Sequence, residues 1–199
     1  MANYTDKLYS LKIPFNLSII LAFSCFFALS GCAKYSEEVQ ANLTKLQNTK
    51  SCPGCDLQEI ELISFDLKGA DLSGANLTGA NLRRSDLTGA NLTNTNLTNA
   101  NLLGVNLTDA KLTNTNLTGV KLSYSNINGA DISGAILKDA HMNSSKVVGS
   151  RIENSDMTGA NLYNADLTDT KVSDKTLKDT VLCKTIMPSG RRDDSGCKR

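Results

Sequence analysis

The 199-residue sequence predicts an all-β solenoid wound from five-residue units, and three observations carry that prediction. First, every fifth residue from Leu57 to Met187 is Leu, Ile, Val or Met, 27 positions in succession, with Leu filling the first 14. Second, the residue two before each of these centres is small. The 21 such positions from Ala70 to Thr170 hold 11 Ala, five Ser, three Thr and two Val. Third, the residue two after each centre is mostly Gly, Asn or Asp, which tolerate turn geometry. A beat of five fits neither the helical period of 3.6 nor the strand period of 2. It fits a short extended piece followed by a corner. The small residue and the centre then share one face, and a centre is buried only when coils stack. The Asn or Asp before each centre is expected to face water.

Residues 1–31 read as an export signal. Lys7 and Lys12 precede the apolar run Ile13 to Leu29, and small residues follow. The run is short for a membrane span of about 20 residues. Leu29-Ser30-Gly31-Cys32 resembles the lipobox of bacterial lipoproteins. That resemblance implies cleavage before Cys32, acylation of Cys32 and a membrane-anchored mature chain of residues 32–199. Several acyl chains anchor stably where one is marginal. Ala33 after the Cys suits the periplasmic side of the outer membrane.

Residues 32–51 form a linker and a capping helix. Ser36 is a candidate N-cap, Glu37 and Glu38 favour a helix start, and Val39, Leu43 and Leu46 share a helical face over 37–48. A solenoid needs such caps, because its open ends expose apolar side chains and unpaired backbone. Repeats occupy 52–187. Lys175, at a small-residue position, marks the last units as degenerate and puts the last regular coil near residue 172. Residues 188–199 read as a polar tail.

The repeat from Cys55 to about Met187 resembles the pentapeptide-repeat family. The resemblance implies a right-handed, quadrilateral β-helix with four units per coil. Almost seven coils at a spacing of about 4.8 Å make a rod of roughly 30 Å. With Cys32 lipidated, Cys52, Cys55, Cys183 and Cys197 remain. On that rod only Cys52–Cys55 and Cys183–Cys197 can meet, since a disulfide needs Cα atoms within about 7 Å. Export makes disulfides plausible. The alternative is a redox or metal protein using Cys52 and Cys55. It lacks a thioredoxin-like unit and a second set of zinc ligands, the sole His being His141.

No catalytic constellation, cofactor site or metal site emerges, which points to a non-enzymatic protein. His141 precedes the centre Met142 at an outward, solvated position. Thr78, Thr98, Thr118 and Thr158 form a column of the kind that binds ice, but Lys138 interrupts it. The formal charge of +1 argues against a nucleic-acid partner. The family resemblance also implies a gyrase-binding DNA mimic as an alternative. A mimic should be strongly acidic, whereas Leu57 to Leu182 holds 14 acidic and 11 basic residues. The residues least explained by the repeat are Arg83, Arg84, Lys111, Lys121, Tyr124, Lys138, Lys146, Arg151 and Tyr163; of these, Arg83, Arg84, Lys121, Tyr124 and Tyr163 lie on one side, because their centres Leu82, Leu122 and Leu162 differ by multiples of 20. Arg and Tyr are favoured in interfaces. These five form the candidate interaction surface of a membrane-tethered module whose partner is another envelope protein or a second copy.

Overall fold

The computed structural model describes residues 34–197; the signal segment and Cys32 lie outside the described residues. Helix α1, Glu37–Thr49, comes first, with Glu37 and Glu38 in its first turn and Val39 and Leu46 buried. Lys50 ends it at a φ of 52°, its N–H bonded to the Leu46 carbonyl at 2.8 Å, a left-handed helix stop. The Asn42 side-chain amide reaches forward to the Asp56 carbonyl at 3.1 Å and ties α1 to the first repeats.

Regular elements are few beyond α1. From Ser51 the chain makes an isolated parallel bridge every five residues, always to the residue 20 positions on: Asn76 with Asn96, Asn96 with Asn116, Asn116 with Ile136. Twenty residues thus make one coil of four units. The centres from Leu57 to Leu167 are buried, as are nearly all the small residues two before them. Leu and Ala together fill the interior side by side.

Why Asn or Asp precedes the centre is answered by counting N–H donors in one unit, Thr95–Asn99. Thr95 N–H closes the preceding turn onto the Leu92 carbonyl at 3.1 Å. Asn96 N–H reaches the Ala75 carbonyl of the previous coil at 2.9 Å. Leu97 and Asn99 N–H reach the next coil at Asn116 and Thr118, at 2.8 and 2.9 Å. Thr98 N–H has no carbonyl to meet; it donates to Asn96 Oδ1 at 3.1 Å. The Thr98 hydroxyl donates to the same oxygen at 2.6 Å. The Asn therefore does not simply face water. It is half-buried and supplies the one acceptor that the coils do not. The Thr column is explained in the same way: Thr78, Thr118 and Thr158 hydroxyls donate to Asn76, Asn116 and Asp156.

Interior hydroxyls are satisfied as well. Thr95, Thr115 and Thr170 each donate to the carbonyl of a centre 23 residues earlier, Leu72, Leu92 and Val147, at 2.6–2.8 Å. Such bonds let Ser or Thr replace Ala inside without an unpaired polar group. At the corners Gly134 shows the steric fit. Its φ is +69°, and a Cβ there would lie 2.4 Å from Asn114 Oδ1 of the previous coil.

The winding breaks at Ser173. Ser173 caps the four-residue helix α2, Asp174–Leu177, accepting from Thr176 N–H at 3.2 Å. The excursion carries Lys175 to the exposed surface and keeps Leu177 buried. Bridging then resumes at Val181 and Ile186. Strand β1, Thr185–Ile186, pairs antiparallel with β2, Arg192–Asp193. The segment read as a polar tail is thus a hairpin arm, because Cys197 is tied back to Cys183.

Replacing Asn96 by Ala should cost about 1 kcal/mol in urea unfolding followed by circular dichroism, the value of one lost acceptor. Replacement by Asp should cost far less. Asp71, Asp131 and Asp156 fill the same role; hydroxyl and N–H donation from Ser73, Ser133 and Thr158 lowers their pKa values below the ordinary 3.8. A depressed carboxylate stabilises the fold above the unfolded pKa, and that contribution is lost as pH falls through the folded one. Stability should therefore decline below about pH 4. The triple variant D71N/D131N/D156N should flatten that decline and change little at pH 7.

Candidate functional site

Two cysteine pairs lie at the two ends of the repeats. Cys52–Cys55 is a disulfide with Cα atoms 5.4 Å apart, and Cys183–Cys197 is a second with Cα atoms 4.7 Å apart. The first follows from the repeat itself. Cys52 takes a centre position and Cys55 the next small position, and Cys55 N–H closes the turn onto the Cys52 carbonyl at 3.3 Å. Pro53 stands where the N–H without a carbonyl partner would be, and Gly54 takes a φ of 65°. Pro then Gly is the preferred pair for a type II turn. Cys52 is fully buried, which removes it from redox partners. Among the described residues no group of three or more His, Cys, Asp or Glu side chains could hold a metal ion.

Five of the residues least explained by the repeat, Arg83, Arg84, Lys121, Tyr124 and Tyr163, lie on the side that carries 81–84, 101–104, 121–124, 141–144 and 161–164, while Lys111, Lys138, Lys146 and Arg151 lie on the other sides. Three columns run along it. The bridging column holds Asn81, Asn101, Lys121, His141 and Asn161. The column after the centres holds Arg83, Leu103, Ser123, Asn143 and Tyr163. The corner column holds Arg84, Gly104, Tyr124, Ser144, Asn164 and Lys184. A depression of about 420 Å³ is lined by Arg83, Leu103, Ser123 and Asn143 along one column and by Asn101, Lys121 and His141 along the other. Arg83 is half-buried, and its Nε is buried without a hydrogen-bond partner. Tyr124 is 71% exposed at the corner. Tyr163 lies further along the column after the centres, outside the depression, with Lys184 Nζ 5.5 Å from its ring centre.

Arg83 and Lys121 thus share one depression, Arg84 and Tyr124 share the adjoining corner, and Tyr163 stands two coils beyond Ser123. Leu103, Ser123, Asn143 and His141 were not legible as part of it from composition. His141 in particular reads as an isolated solvated side chain. The signal that would have found it is its spacing of 20 from Lys121, which makes the two bridge partners.

These features define a repeat protein with a filled interior and chemistry confined to its surface. The family model for pentapeptide repeats (8 copies) matches residues 66–102, 100–139 and 135–174. The chain belongs to the pentapeptide-repeat family. Among solved structures it resembles the pentapeptide repeat protein Rfr23 of the cyanobacterium Cyanothece 51142, at 28% identity over 61% of this chain and 92% of that one, with a TM-score of 0.35. It also resembles alr5209, a pentapeptide repeat protein of Nostoc PCC 7120, at 29% identity over 49% and 79%, with a TM-score of 0.44. The likeness to QnrB1, a plasmid-mediated fluoroquinolone resistance protein, is 18% over 67% and 82%, with a TM-score of 0.28. Scores this low add nothing to the assignment, which the repeat match carries. No curated protein matches the chain.

The C183A/C197A variant should lose about 3 kcal/mol of stability in urea, the loop-closure value for a loop of this length, and should free the β1–β2 hairpin to proteases. In native protein neither pair should react with iodoacetamide by intact-mass spectrometry until it is reduced and unfolded.

Proposed function

We propose that this chain is a non-enzymatic interaction module, tethered to a membrane through an acylated Cys32 and presenting its repeat surface to another envelope protein. The observation that carries the non-enzymatic part is the unbroken stack of buried centres. Interior positions hold Leu, Ala and hydroxyls already bonded to carbonyls, so no interior pocket gathers convergent polar groups. Reactive side chains among the described residues are left to the outside.

The bridge spacing of 20 supports a quadrilateral coil of four units, and the family resemblance supplies its right-handed sense. Helix α1 and the β1–β2 hairpin serve as the end caps in this reading; α1 is bonded to the first coil through Asn42. No helix among the described residues is long and apolar enough to cross a membrane, so the tether rests on the signal and Cys32. A redox role for Cys52 and Cys55 is weakened by their burial in a disulfide. A gyrase-binding DNA mimic is compatible with the family, but Arg83, Arg84 and Lys121 put cations where a mimic needs phosphate-like charge.

The test is metabolic labelling with an alkyne fatty acid, followed by crosslinking in intact envelopes. The wild-type chain should take up label and enter the membrane fraction, and C32S should do neither. The wild-type chain should also form a discrete crosslinked species. Unlabelled wild-type protein, or no crosslinked species, counts against the reading.

A further inference from the structure

The side that carries Arg83 differs from its neighbours in charge. From residue 61 to residue 164 it holds Arg83, Arg84 and Lys121 against one carboxylate, Glu61, which accepts from the Asn81 amide at 2.8 Å. The next side round the coil holds Asp86, Asp109, Asp166 and Asp169 against Lys146 alone. The repeat does not require this basic side; what sets it apart is its charge, since acceptors are also lost elsewhere, at Lys111, Ile136, Lys146, Arg151 and Lys171. Lys121 and His141 occupy bridging positions where Asn or Asp would supply the acceptor for the residue two on. Arg84 and Tyr124 stand at corners with φ of 57° and 59°, a conformation that favours Gly or Asn.

The depression between these residues has a definite chemistry. Arg83 lines the depression with a guanidinium whose buried Nε has no partner, and a guanidinium pairs best with a carboxylate or a phosphate. Lys121 stands two coils from Arg83, about 10 Å along the stack, the span of roughly three residues of extended chain. One small oxyanion cannot meet both. Leu103 lies between them on the floor, an apolar patch that favours a peptide side chain over a free anion. A second copy docking through the same side is disfavoured by like charge. A second copy offering its Asp86 side would make a head-to-tail contact that propagates without closing.

We propose that this depression docks an extended acidic segment of another protein, its carboxylates received by Arg83 and Lys121 and its backbone lying beside Tyr124. The proposal rests on the interaction-module reading and names the chemistry of the partner.

The test uses the full chain in detergent and a fluorescein-labelled ten-residue peptide of alternating Glu and Ser, with a Lys/Ser peptide as control, read by anisotropy. Saturable binding of the Glu/Ser peptide alone is expected. R83Q/K121Q should weaken it at least tenfold, whereas K138Q/K146Q, with the same net charge and cations removed elsewhere, should change it less than twofold. Circular dichroism should show both variants folded. Amide shifts on titration should concentrate at Ser123 and Asn143. No binding, equal loss in both variants, or binding only to phosphatidylglycerol vesicles overturns the proposal, as does a signal that proves to be self-association. Envelope crosslinks without peptide binding would leave the module reading standing and remove this one. Peptide binding without envelope crosslinks would do the reverse.

Discussion

The structure depends on one constraint, that every N–H in a five-residue unit must find an acceptor while the coils stack at a fixed offset of 20. Four of the five are met by carbonyls, one within the turn and three in neighbouring coils. The fifth, on the residue after the centre, must be met by a side chain. Asn or Asp two residues earlier meets it at 16 of the 24 units from Asp56 to Lys171. Two exceptions show how the need is otherwise removed or met. Pro53 has no N–H to satisfy. Val148 comes two residues after Lys146, which offers no acceptor, and its N–H turns instead to Asn128 Oδ1 of the previous coil at 3.0 Å.

That constraint also accounts for what the chain can and cannot carry. Interior positions are restricted to Leu and its like, to Ala, and to hydroxyls that bond a carbonyl. Bridging positions are drawn toward Asn and Asp, and corners toward Gly, Asn and Asp. Little is left free in each unit except the residue after the centre and an occasional corner. Departures such as Lys121, His141, Arg84 and Tyr124 therefore work against the repeat, as do Lys111, Ile136, Lys146, Arg151 and Lys171 on the other sides.

The fold was legible because its determinants are local and repeated. Centres, small residues and turn formers can each be read without knowing which coil lies above. The role of Asn and Asp was not legible in the same way, since a polar residue on a corner-rich chain reads as solvated until the backbone donors are counted. Nor was the hairpin that closes the end. Residues 188–197 look polar and unpatterned, and Cys197 alone, by reaching Cys183, draws them into pairing with Thr185 and Ile186. The site was half legible. Arg83, Arg84, Lys121, Tyr124 and Tyr163 stand out as misfits, but Leu103, Ser123 and Asn143 are ordinary letters that matter only through where they stack.

Stacking at 20 also changes what charge means in such a chain. The balance of 14 acidic and 11 basic residues from Leu57 to Leu182 describes a nearly neutral protein. Sorted by side, the same residues give one side with Arg83, Arg84 and Lys121 against Glu61 alone, beside another dominated by Asp. Fields at a surface are set by charges within about a Debye length, some 8–10 Å at physiological salt, which is about two coils. A partner approaching one side therefore meets that side's own charge far more than the chain's total. Near-neutrality overall is thus compatible with selective attraction at a single face, because charge in such a chain is sorted by the side of the coil.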